Sequence, residues 1–171
     1  MGLKVGTVKI EKYNHEWAIE FNKEKELLSK IFGDIAIKIE HVGSTSIEGL
    51  SAKPIIDIAI AVNKLEDFKK VQDYFEMEPY SIKEDSVDDE ILVRKGSEDN
   101  RTHFIHIMEL NSKRYEDTII FRDYLKNNID TLKAYESLKN DLANKYTNNR
   151  KMYSASKNEF IKKVIEKAYE E

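Results

Sequence analysis

Residues 39–60 read IEHVGSTSIEGLSAKPIIDIAI. An apolar stretch over 35–42 stops at a Gly-Ser turn, a short polar segment follows, and a second apolar run over 55–62 carries a single carboxylate, Asp57. The polar segment 43–46 offers backbone N–H groups and three hydroxyls where a helix can begin, which suits a phosphate group. Together the turn and the acid predict a phosphate cradle beside a carboxylate able to hold a cation.

The second apolar run follows Lys53-Pro54, and we expect it to be extended because proline disfavours the α region for the residue before it. On a strand, Asp57 shares one face with Ala59 and Ala61, and the isoleucines share the other. The isoleucine face belongs in the core. A buried, unpaired carboxylate costs several kcal/mol, so Asp57 must meet solvent, a cation or hydrogen-bond donors.

The remaining pattern predicts one α/β domain over residues 1–171, with a mixed sheet in the first two thirds and a helical carboxy-terminal third packed on it. The predicted elements are an edge strand or ordered arm over 5–10, a helix over about 15–32, a strand over 35–42, two helical turns over 46–52, a strand over 55–62, a helix over 64–75, a hairpin of 91–95 with 101–110, and helices from 113 onwards, the last beginning at Ser156. The acidic segment 84–90 is predicted to be a solvated loop.

Composition excludes several classes of protein. The chain has 171 residues, a net charge of −4 and no cysteine, so disulfides and thiolate metal sites are excluded and a reducing cytoplasm is the expected location. The amino terminus has no apolar signal region, and no run approaches the roughly 20 apolar residues of a membrane span. Nucleic acid is not an expected partner, because the overall charge does not favour polyphosphate backbones.

The Gly43-Ser44 turn is followed by twelve residues and then by Asp57 on the predicted strand. This spacing is typical of a recurring nucleotide site, in which the turn holds phosphates and strand carboxylates hold Mg²⁺. The alternative is a structural turn with a hydrogen-bonded Asp57. The full version of such a site carries a second acid two residues on, where this chain has Ala59. The missing acid predicts Mg²⁺ weakly held at Asp57, with Glu40, Glu109 or a histidine completing its ligands, and the alternatives are altered chemistry or no metal binding.

His103 and His106 are two further candidate site residues, both on the predicted strand 101–110. On a regular strand they face opposite sides, so we expect one in the site and the other in packing. His41, two residues before the turn, has either a structural or a functional role. The predicted catalytic residues are Asp57, His103 and His106. The predicted phosphate-binding residues are Gly43, Ser44, Thr45, Ser46, Lys53 and Arg101, with Arg94 as a further counter-charge and surface solvation as the alternative for each cation.

The sequence resembles the GrpB family. The segment 41–57, HVGSTSIEGLSAKPIID, is similar to the family's signature, and four later blocks match in order. These blocks are RTHFIH at 101–106, FRDYL at 121–125, YESLK at 135–139 and YSASK at 153–157. The resemblance implies a nucleotidyltransferase-like α/β fold, with Gly43, Ser44 and Asp57 at the positions of that superfamily's Gly-Ser turn and first metal-binding acid. Glu48 departs from the family's usual proline.

The resemblance implies no settled activity, although relatives fused to dephospho-coenzyme A kinase suggest nucleotide or cofactor metabolism. Our first hypothesis is a protein that binds a nucleotide or other phosphate-bearing small molecule and transfers a nucleotidyl group to an acceptor. The alternatives are a non-catalytic nucleotide-binding module and an accessory protein whose helical third binds a protein partner. A homo-oligomer also stays open.

Overall fold

The sheet is mixed and central. In the computed structural model, which describes residues 1–84 and 89–171, five strands have the order β1-β2-β5-β4-β3. Their bounds are Lys38–Val42 for β1, Ile56–Val62 for β2, Tyr80–Ile82 for β3, Ile91–Gly96 for β4 and Arg101–Glu109 for β5. The pair β2 and β5 is parallel, and the other pairs are antiparallel. The predicted hairpin is confirmed as β4 and β5.

Helices cover both faces of this sheet. Their bounds are Glu16–Phe32 for α1, Gln72–Phe75 for α2, Lys113–Asn127 for α3, Ile129–Lys145 for α4 and Arg150–Glu170 for α5. Short 3₁₀ segments occupy Gly33–Ile35, Ser44–Ser46 and Leu65–Lys70. The predicted mixed α/β fold with helices against the sheet is therefore confirmed. Among the described residues, no helix combines the length and apolar character that crossing a membrane requires.

The two faces of β2 are packed as the alternation predicts. Ile56, Ile58 and Ile60 are fully buried in the main core, which also holds the apolar side of α1. Ala59 and Ala61 face the other way, into a smaller cluster with Met108 and Tyr115. Small side chains at these positions let α3 approach the sheet. Asp57 therefore lies under the helical third of the chain.

Several predicted boundaries are wrong. The first strand begins only at Lys38. The two helical turns predicted over 46–52 are not found, because the chain leaves the 3₁₀ turn Ser44–Ser46 at once, Gly49 has a φ of +81° and Ala52 pairs as an isolated bridge with Glu11. The helix predicted over 64–75 is broken at Val71 into a 3₁₀ turn and the four-residue α2. The last helix begins upstream of Ser156. Of the two alternatives for the amino terminus, an edge strand and an ordered arm, the structure has the arm, which makes isolated bridges at Leu3 and Glu11.

The early start of α5 has a local cause. The side chain of Asn149 accepts a hydrogen bond from the backbone N–H of Met152 and caps the helix. Tyr153, only 1% exposed, extends the buried face of the helix upstream of the predicted start. The capping-box sequence at Ser156 therefore lies inside the helix.

Candidate functional site

The Gly-Ser turn lies directly against Asp57, as predicted. Val42 is paired with Asp57 across the antiparallel strands β1 and β2, so the next residue of the chain, Gly43, starts the turn beside the carboxylate. Gly43 has a φ of +68°, and a Cβ there would lie 2.6 Å from Oδ2 of Asp57. Glycine is required at this position both for the backbone conformation and for the close approach.

His106 joins Asp57 to a buried second acid. Ala59 pairs with His106 across the parallel strands β2 and β5, which puts the imidazole on the same face as Asp57. Nε2 of His106 lies 3.3 Å from Oδ1 of Asp57, and Nδ1 contacts a carboxylate oxygen of Glu90. Glu90 also pairs with Arg114 on α3. These four groups form a chain of alternating charge across the cleft between the sheet and α3.

Both ring nitrogens of His106 face carboxylates, so both carry hydrogen when the two contacts are made. Burial alone lowers the pKa of His106, but its hydrogen bonds to Asp57 and Glu90 outweigh this and raise the pKa to about 9. Burial likewise tends to raise the pKa of Asp57, but His106 and the charges of Lys53 and Lys157 lower it below its ordinary value. Asp57 is therefore an ionised carboxylate held by an imidazolium.

A group of cations lies on the other side of Asp57. A cavity of about 300 Å³, which we call the cationic chamber, is lined by the turn, Asp57 and His106 and by four basic side chains. These are Lys53, Lys139, Arg150 and Lys157. Within residues 1–84 and 89–171 no salt bridge joins any of the four to a carboxylate.

The positive charge in this chamber is unfavourable for the free protein. Burial, reinforced by the neighbouring cations, lowers the pKa of Lys53 to about 7 and that of Lys139 to about 7. Burial also lowers the pKa of Lys157 to about 8. Lys53 and Lys157 lie over the ring of Tyr153, 5.3 and 4.5 Å from its centroid. Besides these aromatic faces, the charge of Asp57 also favours the protonated forms of Lys53 and Lys157. Lys139 donates to the backbone carbonyl of Ser51.

Sequence reasoning found Lys53 but missed the three cations of the helical third. A signal was present in two of the family blocks, 135–139 and 153–157, each of which places a tyrosine four residues before a lysine. At that spacing the two side chains share one face of a helix. Repetition of the pair in two successive helices could have indicated a common basic surface.

A second cavity of about 540 Å³ adjoins the first, and we call it the apolar chamber. It lies between the sheet and the helices α3 and α5, and its lining includes Met108, Phe121, Ile161 and Ile165. Gly43, Asp57, His106 and Tyr135 line both cavities. The two chambers therefore form one cleft with Asp57 and His106 at the shared wall.

Some predicted site residues lie elsewhere. His103 is 3% exposed on the opposite face of the sheet, and burial lowers its pKa, so His106 belongs to the cleft and His103 to packing. Arg101 is 6% exposed and lines, with Arg94, a separate cavity near the β4–β5 turn. The structure therefore does not bring His103 or Arg101 to Asp57.

Hydroxyl groups of the turn already make hydrogen bonds within the protein. Oγ1 of Thr45 lies 2.9 Å from Nε2 of His41, whose ring stacks on Phe21. The hydroxyl of Ser46 donates to the carbonyl of Gly43 at 2.6 Å. Thr45 and Ser46 stabilise the turn, and Ser44, which makes a side-chain hydrogen bond with Tyr135, also lines the cationic chamber.

The prediction that the acidic segment is a solvated loop is wrong for Glu90, which is 4% exposed and held by His106 and Arg114. A block of acids usually faces solvent, but this one ends beside two cations that the local pattern does not reveal. Residues 85–88 of the segment lie outside the described part of the chain.

The side chains present are a poor fit to Mg²⁺. Among the described residues, no group of three or more histidine and carboxylate side chains is arranged to hold a metal ion. Glu40 shares the face of Asp57 but pairs with Arg122 at 2.7 Å, and Glu109 accepts from the backbone N–H of Leu65. Asp57 itself is flanked by cations, which repel a metal ion.

The fold and cleft define a class: a mixed α/β protein whose sheet and helical third enclose a cationic chamber beside a single strand carboxylate. Comparison with known proteins gives the family, because the profile of the family described as "GrpB protein" matches residues 7–167. The chain belongs to the GrpB family.

The relatives agree with this assignment. The chain is 35% identical over 170 residues to "Glutamate-rich protein GrpB" of Alkalihalophilus pseudofirmus, covering 96% of this chain and 98% of that protein. It is 36% identical over 162 residues to "UPF0157 protein YqkA" of Bacillus subtilis, covering 94% of this chain but only 47% of that protein. The crystal structure of conserved protein GrpB from Enterococcus faecalis is similar with a TM-score of 0.86 at 32% identity, covering 94% of this chain and 96% of that one.

Proposed function

We propose that the protein binds a phosphate-bearing small molecule, a nucleotide being the first candidate, with its phosphates in the cationic chamber. One observation carries the proposal: Lys53, Lys139, Arg150 and Lys157 line one cavity together with the Gly43-Ser44 turn, and no described carboxylate forms a salt bridge with any of them. Like charges brought together in a buried cavity repel one another and are poorly solvated. A bound polyanion removes both penalties at once.

The turn and the basic side chains have complementary roles in this proposal. The backbone N–H groups and the Ser44 hydroxyl orient the phosphate through directed hydrogen bonds. Lys53 and Lys157 neutralise its charge, and Arg150, whose guanidinium lies 4.8 Å from the centroid of the Phe104 ring, presents a rigid fork of donors. Binding of this kind does not need Mg²⁺, which fits the poor metal site around Asp57.

A transfer reaction is the second candidate function. Asp57 and His106 lie where the two chambers meet, so a phosphate in one chamber and an acceptor group in the other would meet beside them. An acceptor hydroxyl would attack the α-phosphorus of the nucleotide, the bond to the β-phosphate would break and pyrophosphate would leave. Asp57, an ionised carboxylate, would accept the hydrogen bond and then the proton of that hydroxyl, and the His106 imidazolium would hold Asp57 in place. The incomplete metal site favours the alternative, a non-catalytic nucleotide-binding module. An accessory role in binding a protein partner has no specific observation in its favour.

Isothermal titration calorimetry with pyrophosphate and with ATP, each in EDTA and in Mg²⁺, tests the proposal. We expect binding in EDTA, and we expect Lys157→Met to weaken it by about tenfold or more, since a hydrogen bond to a charged group contributes about 1.5–3 kcal/mol. Lys162→Met is the matched control, because Lys162 lies on the same helix with its side chain 77% exposed.

Absence of binding to both probes in either condition would contradict the proposal. Equal weakening by Lys157→Met and Lys162→Met would show a general effect of surface charge instead of a site. Binding that requires Mg²⁺ and is lost in Asp57→Asn would instead support the metal site at Asp57 that the family resemblance implies. Release of pyrophosphate from ATP in the presence of an acceptor would establish transfer.

A further inference from the structure

A pair of arginines lines a third cavity, outside the cleft. Arg94 on β4 and Arg101 at the start of β5 border this space of about 490 Å³ near the β4–β5 turn, together with Ser81, Gly96 and Ser97. Within the described part of the chain, it shares no lining residue with either chamber of the cleft. We call it the arginine pocket.

A register shift between the two strands brings both arginines to one face of the sheet. Gly96 lies two residues after Arg94, so the pleat puts both positions on the same face of β4. The shift between Lys95 and Gly96 pairs Gly96 with Arg101, one residue earlier on β5 than a regular ladder would. Gly96 has a φ of +94°, and a Cβ there would lie 2.2 Å from the carbonyl oxygen of Asn100. This bulge turns Arg101 towards the side of Arg94, and the two line one pocket.

The two guanidinium groups are poorly compensated. Arg101 is 6% exposed, and its Nη1 is buried without a hydrogen-bond partner, as is Nε of Arg94. Neither arginine forms a salt bridge with a carboxylate of residues 1–84 or 89–171, and Arg94 makes a long contact of 3.4 Å to the carbonyl of Ile82. Buried donors without acceptors and buried cations without anions both destabilise the free protein.

Acids lie only at the exposed part of this pocket. Glu78 and Glu98 belong to its lining, but both are exposed, so water and salt screen their charge. The hydroxyls of Ser81 and Ser97 add neutral donors to the lining. Burial, reinforced by the charge of Arg94, lowers the pKa of Arg101, but an arginine still keeps its proton near neutral pH. The buried part of the pocket therefore stays positively charged.

We infer that the arginine pocket binds a tetrahedral oxyanion, either inorganic phosphate or the phosphate group of a small monoester. A dianion neutralises both arginines, whereas a carboxylate neutralises one. Guanidinium forks match the oxygens of phosphate in pairs, and their charge is delocalised, so an anion at the open edge also compensates the covered nitrogens. This site is separate from the cationic chamber and does not depend on the proposed function.

NMR of the arginine side chains tests both sites in one spectrum. The Nε–H signals of Arg94 and Arg101 report the arginine pocket, and that of Arg150 reports the cationic chamber. We expect inorganic phosphate, titrated at constant ionic strength, to shift the signals of Arg94 and Arg101 along one saturable curve. Arg94→Gln should weaken the binding seen at Arg101 by about tenfold or more. Lys4→Gln is the control, because it removes an exposed cation that pairs with Asp99 near the same turn.

Two further probes define the ligand. Glycerol 1-phosphate that binds more tightly than inorganic phosphate would identify a monoester, and equal affinities would identify the free oxyanion. Both results support the inference. Acetate is expected to bind at least about tenfold more weakly than phosphate, because it carries a single charge. Acetate that binds as tightly as phosphate would overturn the oxyanion class.

The remaining outcomes separate this site from the cleft. The inference is overturned if phosphate causes no saturable shift at Arg101, or if Lys4→Gln weakens that shift as much as Arg94→Gln does. It is also overturned if Lys157→Met weakens the binding seen at Arg101, since the two regions would then form one site. A shift of Arg150 with pyrophosphate, without any shift of Arg101 with phosphate, would leave the proposed function standing alone.

A second variant guards against a fold defect in Arg94→Gln. Arg101→Met removes an unpaired buried charge and keeps an apolar chain of similar length, so we expect it to melt at or above the temperature of the wild type. In this variant the Arg94 signal should no longer respond to phosphate at concentrations that saturate the wild type. A phosphate response at Arg94 that matches the wild type would overturn the inference.

Discussion

Nε2 of His106 lies 3.3 Å from Oδ1 of Asp57, and this contact joins the two chambers of the cleft. The same imidazole contacts Glu90 through Nδ1, so it holds two carboxylates that would otherwise repel each other. The imidazolium fixes Asp57 at the shared wall and neutralises one of the two acids. Asp57 stays ionised, and its charge favours the protonated forms of Lys53, Arg150 and Lys157 in the cationic chamber.

The charge state of His106 is directly measurable. In Asp57→Asn the imidazolium loses one carboxylate partner, so we expect its pKa to fall from about 9 towards the ordinary range. NMR titration of the ring carbon resonances between about pH 5 and 10 reports this pKa. Asp67→Asn, which removes an acid paired only with Lys70 and the backbone, should leave it unchanged. An unchanged pKa of His106 in Asp57→Asn would show that Asp57 does not raise it.

The raised pKa of His106 makes the free energy of unfolding depend on pH. The folded-state pKa of His106 is raised above its unfolded value, so its contribution to stability is fully present below about pH 6.5 and is lost as pH rises towards about 9. Urea unfolding of the wild type and of His106→Gln at both ends of this window measures the contribution. We expect the advantage of the wild type over the variant to shrink as pH rises. A constant difference would contradict the raised pKa.

Binding of ATP at about pH 8 should be accompanied by proton uptake. In the free protein the pKa of Lys53 and of Lys139 is lowered to about 7 and that of Lys157 to about 8, so these amines are partly neutral at this pH. A polyphosphate raises their pKa, whereas ATP is itself almost fully deprotonated. Calorimetry in Tris and in HEPES detects the uptake as a dependence of the observed enthalpy on the buffer. Proton release on binding would be the opposite result.

Gly43 combines a close approach to Asp57 with a backbone conformation that favours glycine. Gly43 has a φ of +68° and a ψ of −175°, so alanine there should cost about 1–3 kcal/mol of unfolding free energy through the backbone alone. Gly49 also has a positive φ, at which alanine should cost about 1 kcal/mol. Only at Gly43 would the new Cβ meet a side chain, Oδ2 of Asp57 at 2.6 Å, whereas nothing lies within 4 Å at Gly49. We expect Gly43→Ala to be destabilised by about 1–3 kcal/mol more than Gly49→Ala in urea unfolding. Equal losses of unfolding free energy in the two variants would show that a Cβ at position 43 does not clash with Asp57.

A buried ion pair stabilises the opposite face of the sheet. Glu24 is 3% exposed, accepts from the hydroxyl of Tyr80 at 2.7 Å and pairs with Lys95. Glu24→Ala leaves both partners without an acceptor, so we expect a loss of about 3 kcal/mol in the free energy of unfolding. Glu20→Ala, which breaks an exposed pair with Lys23 one turn away, should cost at most about 1 kcal/mol. Similar losses in the two variants would mean that the buried pair is no more important than the surface one.

The sequence predicted the half of the cleft that is built from strands. Alternation along β2 placed Asp57 opposite the buried isoleucines, and the spacing of His103 and His106 predicted that only one of them faces the site. These predictions held because a strand fixes the direction of each side chain by its position alone.

The helical half could not be predicted in the same way. Lys139 and Lys157 reach the cleft only because α4 and α5 pack in one apolar cluster with Ile47 and Leu50, just after the turn. Helix spacing in the sequence does not fix where a helix packs in the fold. Glu90 was missed for a related reason. Its burial depends on Arg114, which α3 supplies from another part of the chain. The positive charge of the cleft is thus a property of the tertiary structure.

A crystal structure of the protein grown with ATP in EDTA is the most direct test of the phosphate site. We expect phosphate density within hydrogen-bond distance of Lys53 and Lys157 and beside the Gly43-Ser44 turn. Phosphates bound outside the cationic chamber, or a cleft that stays empty at a concentration where calorimetry records binding, would contradict it.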